Sequence, residues 1–556
     1  MSGSIDPTIE ARRSSSSPQE TIADVEKQAQ SNQLNEKEKK DIEDGQIATR
    51  DVNLTKKNSK PPVQQVEGHN AYYTLHEDGT KVLTFGGESD MENPRNWSKA
   101  QKWYLTVLCS YINVLVASQA SVYSTGQAQV EKEFGIGEEL AIAGLSLYVL
   151  GFAIGPIIFA PLSEMFGRRI IYVACWFLFV VLQFGVAFAP NIPVLFVFRF
   201  LTGFFSSPPL ANTGGVISDL WGRDESGPAM AVYVVGSTCG PQIGNIYAGF
   251  IAQNLGWRWV FYLTSLLIMG LHWFVLVFTL KETRHNIILK NKVKRIKKAT
   301  GDNSFVSVHE DERKSMLTLF KISLSRPIYF LCTEPITMFA ALWNGLLYGL
   351  IFLFNDAFNS VFGPESAYGF QHSGVVQITF VSFVIGEFIG FGIYFFTQEP
   401  FYQRQIKKAG QSVPEARMAS GVVGCCLLPI GLFIFAWTCY PSISPVVPLI
   451  GAAVFGVGFF QVLYGIMSWT VDAYREYAAS ALGAVVLVRN LFGAGLPLAG
   501  APMYKNLGIH WATSLIAFVS VPLIPVSWFF FWKGEEIRKR SPWAASHYGD
   551  DEDAPH

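Results

Sequence analysis

Four charged side chains lie in or at the edge of long apolar runs: Arg199, Glu334, Glu387 and Arg489. A charge in hydrocarbon is costly, so an ionisable residue within a membrane span points by default to a translocation path or an ion relay. A carboxylate in a low-dielectric cavity resists ionisation, which suits reversible proton binding, and a neighbouring arginine favours release. These four are therefore the candidates for proton coupling. A structural ion pair inside the membrane is the alternative use of the same residues. Glu334 lies near one end of its run and Asp472 at the boundary of another, while the lone His272 beside Trp273 reads as a packed histidine.

A second constellation is "GSTCGPQIGN" at 236–245. Gly236, Gly240, Gly244 and Ala248 recur every four residues, so they line one helical stripe along which another backbone can pass closely. Pro241 removes a backbone hydrogen bond and favours a bend, and Gln242 and Asn245 can satisfy freed groups or face a cavity. A matching stretch, "RNLFGAGLPLAGAP" at 489–502, carries Pro497 in its middle. Paired glycine- and proline-interrupted spans point to a transporter built from repeats, with its site where the repeats meet. Tight packing without a transport role is the plainer reading of the stripe alone. Polar residues within apolar runs nominate Asn113, Gln119, Gln242, Asn245, Tyr348, Gln461 and Tyr464 as substrate-cavity residues. The carboxylates Glu334 and Glu387 would accept cationic solutes, polyamines among them.

These residues must be positioned by membrane helices. Of 556 residues, 50% are hydrophobic and only 16% charged, against about 25% charged in soluble domains. About 20 apolar residues span a bilayer as helix, and twelve stretches qualify: 103–124, 140–162, 170–189, 193–218, 228–253, 259–280, 327–355, 371–397, 418–439, 446–470, 478–502 and 510–532. The polar segment 281–326 divides them into two sets of six and holds twelve Lys and Arg, whereas the loops of the opposite side hold Lys132, Arg258 and Lys505. The excess of positive charge places the central loop and both tails in the cytoplasm. The expected organisation is a disordered tail 1–97, a six-helix bundle 98–280, a basic loop 281–326, a second bundle 327–535 and a tail 536–556. That is an all-α membrane protein of twelve transmembrane helices in two pseudo-symmetric six-helix bundles. No signal peptide precedes the first span, and Asn53 and Asn96, although in glycosylation patterns, fall in the cytoplasmic tail. Ser14 to Ser17 beside Pro18 read as part of a solvated tail. The seven cysteines lie in apolar runs with no CxxC and read as small hydrophobes. A nucleotide-binding loop, an HExxH and a metal-spaced Cys/His cluster are all missing from the sequence, so an enzyme is not expected and no cofactor is implied.

The residues resemble the major facilitator superfamily over about 90–535, and within it the fungal twelve-span drug:proton antiporters. "APLSEMFGRR" (160–169) is similar to the family's loop between spans two and three, which implies a cytoplasmic gate of Glu164, Gly167, Arg168, Arg169 and Asp219. "LFVFRFLTG" (195–203) resembles the span-four motif, with Thr202 for Gln, and implies that Arg199 handles protons. The stretch from Gly236 resembles the antiporter signature of span five, on Gly236, Gly240, Pro241 and Gly244, with Asn245 for the last Gly. "GWRWVFYL", "EPI", "PEARM", "DAYREYAASALGA" and "KETRHNIILK" are further similarities to the fungal branch.

The resemblance implies a proton-coupled exporter of drugs, toxins or polyamines working by alternating access, a monomer in the plasma membrane with the vacuolar membrane as second choice. Its partners would be a small-molecule substrate, protons and the lipid bilayer, with no nucleic acid. A proton-coupled importer of a nutrient or polyamine is the alternative within transport, and a channel or sensor the alternative of another class.

Overall fold

The structure is a computed structural model that describes residues 63–66, 72–75, 80–86, 90–222, 225–307, 316–364, 366–410, 413–474 and 477–545. The chain divides into two compact units, Met1–Thr84 and Phe85–His556. In the first, strands Val63–Gln65, Tyr72–Leu75 and Lys81–Thr84 pair antiparallel in sequence order, with Tyr73 opposite both Gln64 and Leu83. The expected disordered tail 1–97 thus has three strands in its described part. Ser14–Ser17 and Asn53 lie outside the described residues.

The second unit is helical. Its first span, Lys99–Val122, starts where the Ser98 side chain accepts the Gln101 N–H, and Asn191 with a proline at the first turn starts the fourth, Ile192–Ser206. These are ordinary helix-start devices. Among the described residues, ten helical segments are long and apolar enough to cross a membrane. Two of the twelve expected spans fall outside that set. Ser226–Leu255 is long enough at 30 residues, but its glycines, Gln242 and Asn245 dilute its apolar character. The other, Ala478–Gly495, is short because a new helix begins at Pro497. Gly508, at φ 73°, makes the turn between the eleventh and twelfth spans, a conformation that glycine adopts without steric cost. Phe278, Phe396 and Trp532, at 80%, 84% and 70% exposure, form an apolar exterior that suits lipid and not water.

The two halves repeat one packing scheme. The first span packs on the fifth and the second on the fourth; the seventh packs on the eleventh and the eighth on the tenth. Glycines allow each approach. A Cβ on Gly240 would lie 2.5 Å from the Ala117 Cβ, one on Gly203 2.0 Å from the Tyr148 carbonyl, and one on Gly386 2.0 Å from the Ala453 carbonyl.

Two boundaries differ from expectation. The seventh span is Pro335–Phe362, separated from Met316–Thr333 by Glu334 in an extended conformation. Pro335 disfavours the helical region for the residue before it, so the break falls there and not at 327. The basic segment contains its own helix, His285–Thr300. It is fastened to the chain before the first span by Lys292 Nζ, 3.1 Å from the fully buried Asp90 Oδ2.

Candidate functional site

Arg199 is fully buried in the fourth span. Its Nε donates to the Gly144 carbonyl at 2.9 Å and one terminal nitrogen to the Gln119 carbonyl at 3.2 Å. The guanidinium lies 4.9 Å from the Tyr123 ring centre, 4.6 Å from Tyr148 and 5.8 Å from Phe261. It therefore ties the first, second and sixth spans to the fourth through carbonyls and π-faces. Arg489 is buried over the Tyr348 ring at 4.6 Å. The Glu387 carboxylate, also fully buried, sits against the Thr238 hydroxyl and the Cys239 thiol of the glycine-rich fifth span, and among the described residues no cation pairs with it. Glu334 is not mid-span: at the head of the seventh helix, 1% exposed, it accepts Tyr474 Oη at 3.0 Å and Ser541 Oγ at 2.6 Å. Among the described residues no ion pair joins these four side chains, so the structure does not bring them together as one relay.

The residues expected at the gate do gather. Arg168 Nε lies 3.5 Å from Asp219 Oδ2, and its NH1 donates to Ser163 and Asn212. Arg284 reaches Asp219 at 3.8 Å and Glu164 at 3.9 Å. Arg169 donates to the Val277 carbonyl at 2.9 Å. The residue that organises them is Glu282, which was not singled out within "KETRH". Its two oxygens accept the Arg168 and Arg169 backbone N–H groups at 2.9 and 3.1 Å, capping the helix that starts there. Gly167, at φ 104°, makes room for this, since a Cβ would lie 2.3 Å from Glu282 Oε2. Burial, with Arg95 and Arg284 nearby, pushes the adjacent His285 imidazole down to about 4. It is neutral near pH 7, and the arginines alone balance Asp219. Loss of a helix cap costs about 0.5–2 kcal/mol, so Glu282→Ala is expected to lower the melting temperature by a few degrees. An unchanged melt would show that the cap is dispensable.

A second cluster at the same end serves the other half. Arg417 Nε binds Asp472 Oδ2 at 2.8 Å, and its NH1 donates to Tyr464 Oη at 2.7 Å. Tyr402 Oη donates to Asp472 at 2.9 Å. Tyr464, expected in the substrate cavity, is held in this cluster.

At the end of the bundle opposite the basic helix, a small cleft, partly open to solvent, opens between the halves. Ser121 and Asn245 line it from one half, and Asn355, Asp356, Asn359 and Gln377 from the other. Of the polar residues nominated from sequence, only Asn245 lies in its wall. Asn113 is bonded to the Cys109 carbonyl and Thr213 Oγ1, Gln119 to Tyr247 and Gln183, and Gln461 to the Gly390 carbonyl. Gln242 is fully buried without a partner. Tyr348 faces Arg489. Polarity in an apolar run identified buried hydrogen-bonding residues, whereas lining a cleft depends on helix rotation. Asp356 escaped notice because the seventh span was expected to end at 355, one residue short of it.

The pattern of the Major Facilitator Superfamily matches residues 107–497. The chain is 37% identical over 461 residues, 82% of its length and 75% of the relative's, to the major facilitator superfamily multidrug transporter mdrA of Aspergillus fumigatus. It is 34% identical over 457 residues, 82% of its length and 76% of the relative's, to the MFS-type efflux pump MFS2 of Trichophyton rubrum. A solved structure of the proton:xylose symporter XylE of E. coli matches with a TM-score of 0.56 at 15% identity, covering 79% of this chain and 96% of that one.

Proposed function

The chain belongs to the major facilitator superfamily, and from that premise we propose that it exports small organic solutes across the plasma membrane in exchange for protons. It is a multi-pass membrane transporter and not an enzyme. The observation that carries the transport reading is the cleft at the end opposite the basic helix. It is built by both halves, and Asn245 of the glycine-rich fifth span stands in its wall. With the basic segment in the cytoplasm, this cleft faces outward, where a solute enters or leaves. Two relatives of matching extent are named a multidrug transporter and an efflux pump, which supports export as the direction.

Proton coupling is assigned to Glu387. Its enclosed carboxylate lies against the fifth span, so gaining a proton removes an uncompensated buried charge. Arg168, Arg169, Glu164 and Asp219 form the cytoplasmic gate of the first half. The Arg417–Asp472 cluster is its counterpart in the second.

The test uses the full chain in proteoliposomes. A pH gradient, acidic on the cleft side, should drive solute movement out of the opposite compartment. Glu387→Gln should remove the dependence on the gradient while solute exchange without a gradient continues. Equal gradient dependence in wild type and Glu387→Gln would overturn the assignment. Orientation is checked separately. A cysteine at the exposed position Asn291 should react with an impermeant maleimide only after cells are permeabilised, and labelling of intact cells would reverse the topology.

A further inference from the structure

We infer that the outward cleft is a binding site for organic cations, with Asp356 as the counter-ion. This rests on the transport reading above and names the chemistry of its substrate.

Three observations converge. First, Asp356 is the one charged side chain among the residues lining the cleft, which include no Lys, Arg or His. Its carboxylate has no hydrogen bond or ion pair among the described residues; Ser360 Oγ donates only to its backbone carbonyl, at 3.0 Å. The charged group that acts on it is another acid, Glu138 at the start of the second span. A partly buried carboxylate left with only like charge nearby is incomplete until a cation arrives.

Second, the remaining wall suits an ammonium group. Asn245, Asn355 and Asn359 bring carbonyl-type acceptors to the cleft, and Phe352 and Phe380 bring aromatic faces, to which a cation is attracted. Third, the backbone of the eleventh span passes close to the carboxylate. Gly500 packs against it so closely that a Cβ would lie 2.0 Å from Oδ2.

The other buried acids do not compete for this role. Glu334 is engaged by Tyr474 and Ser541, and both Glu387 oxygens are sealed from solvent. The preference for cationic solutes expected of those two residues is therefore reassigned to Asp356.

The experiment compares 1,8-diaminooctane with 1,8-octanediol, equal in length and different in charge, by calorimetry on the full chain in nanodiscs of zwitterionic lipid. Wild type should bind the diamine at least tenfold more tightly than the diol. In Asp356→Asn the ratio should fall to about one, and Asp356→Glu should restore a preference for the diamine. Gly500→Ala keeps the charge but displaces the carboxylate, so it should lower the ratio severalfold. If Asp356→Asn does not fold, Gly500→Ala and Asp356→Glu still decide. A wild-type ratio near one, or a ratio unchanged in folded Asp356→Asn or Gly500→Ala, overturns the proposal. Gradient-driven efflux of the diamine is measured separately. Charge-selective binding without driven efflux would retire the exporter reading and leave the cation site standing. Driven efflux of solutes with no charge preference would do the reverse.

Discussion

Gly240→Val is expected to reduce protein abundance, melting temperature and export together. A Cβ at Gly240 would lie 2.5 Å from the Ala117 Cβ, 2.9 Å from the Val114 carbonyl oxygen and 3.2 Å from the Ser118 nitrogen. Two of these are backbone atoms of the first span and cannot rotate away. Overpacking costs about 1–3 kcal/mol, and contacts with backbone place this site at the upper end. The first and fifth spans belong to the same half, and rocking of one half against the other leaves their contact intact. The clash is therefore present in every state of the cycle and acts on folding. Gly249 in the same helix is different, since its Cβ would meet Gln377 Cγ of the opposite half at 2.6 Å. Gly249→Val should leave abundance near normal and block only the state in which that end is shut. Gly392→Ala, with nothing within 4 Å, is the control. A Gly240→Val protein that melts normally and fails to export would show that the stripe serves motion and not packing.

Arg199→Ala is expected to abolish gradient-driven flux and to lower the melting temperature strongly. Each hydrogen bond from a charged donor contributes about 1.5–3 kcal/mol, and Arg199 makes two, to Gly144 and Gln119. A desolvated cation over an aromatic ring adds about 2 kcal/mol, and three rings surround this one. Lysine keeps the charge but lacks the planar fork that reaches two carbonyls at once. Arg199→Lys should therefore fold better than the alanine variant and retain partial flux at most. The informative comparison is between gradient-driven efflux and solute exchange without a gradient in Arg199→Lys. Loss of the first with survival of the second supports a role in proton handling. Equal loss of both in step with the melt makes Arg199 a structural tie, and normal driven flux in Arg199→Ala vesicles removes it from coupling.

The glycine periodicity at 236–248 was readable directly. A four-residue spacing without side chains requires a close neighbour, and the first span fills that place. Glu164, Gly167, Arg168 and Arg169 were legible as one loop through its similarity to the family's loop between spans two and three, and the structure gathers their charged side chains with Asp219 and Arg284. Glu282 was not, since it acts from more than a hundred residues away on two backbone N–H groups. Glu334 and Asp356 were misplaced by the two ends of one span. Apolar content marks where a helix can lie in lipid but not where Pro335 forces it to begin. A start eight residues later than expected carried Glu334 out of the span, and an end at Phe362 brought Asp356 in.

The sequence by itself determined the membrane-spanning class, the polar break at 281–326, the uneven distribution of positive charge and the stripe along which helices touch. Each of these follows from hydropathy, charge count or helical period along one stretch of chain. Only the tertiary structure decided which buried polar groups face one another. Arg199 meets carbonyls and aromatic rings and, among the described residues, no carboxylate, Tyr464 belongs to the Arg417 cluster, and Asp356 faces the cleft. The physical reason is rotation and register. A helix exposes a different face every 100° per residue, so the partner of a polar side chain is set by how neighbouring spans are turned, and helical period alone does not carry that information.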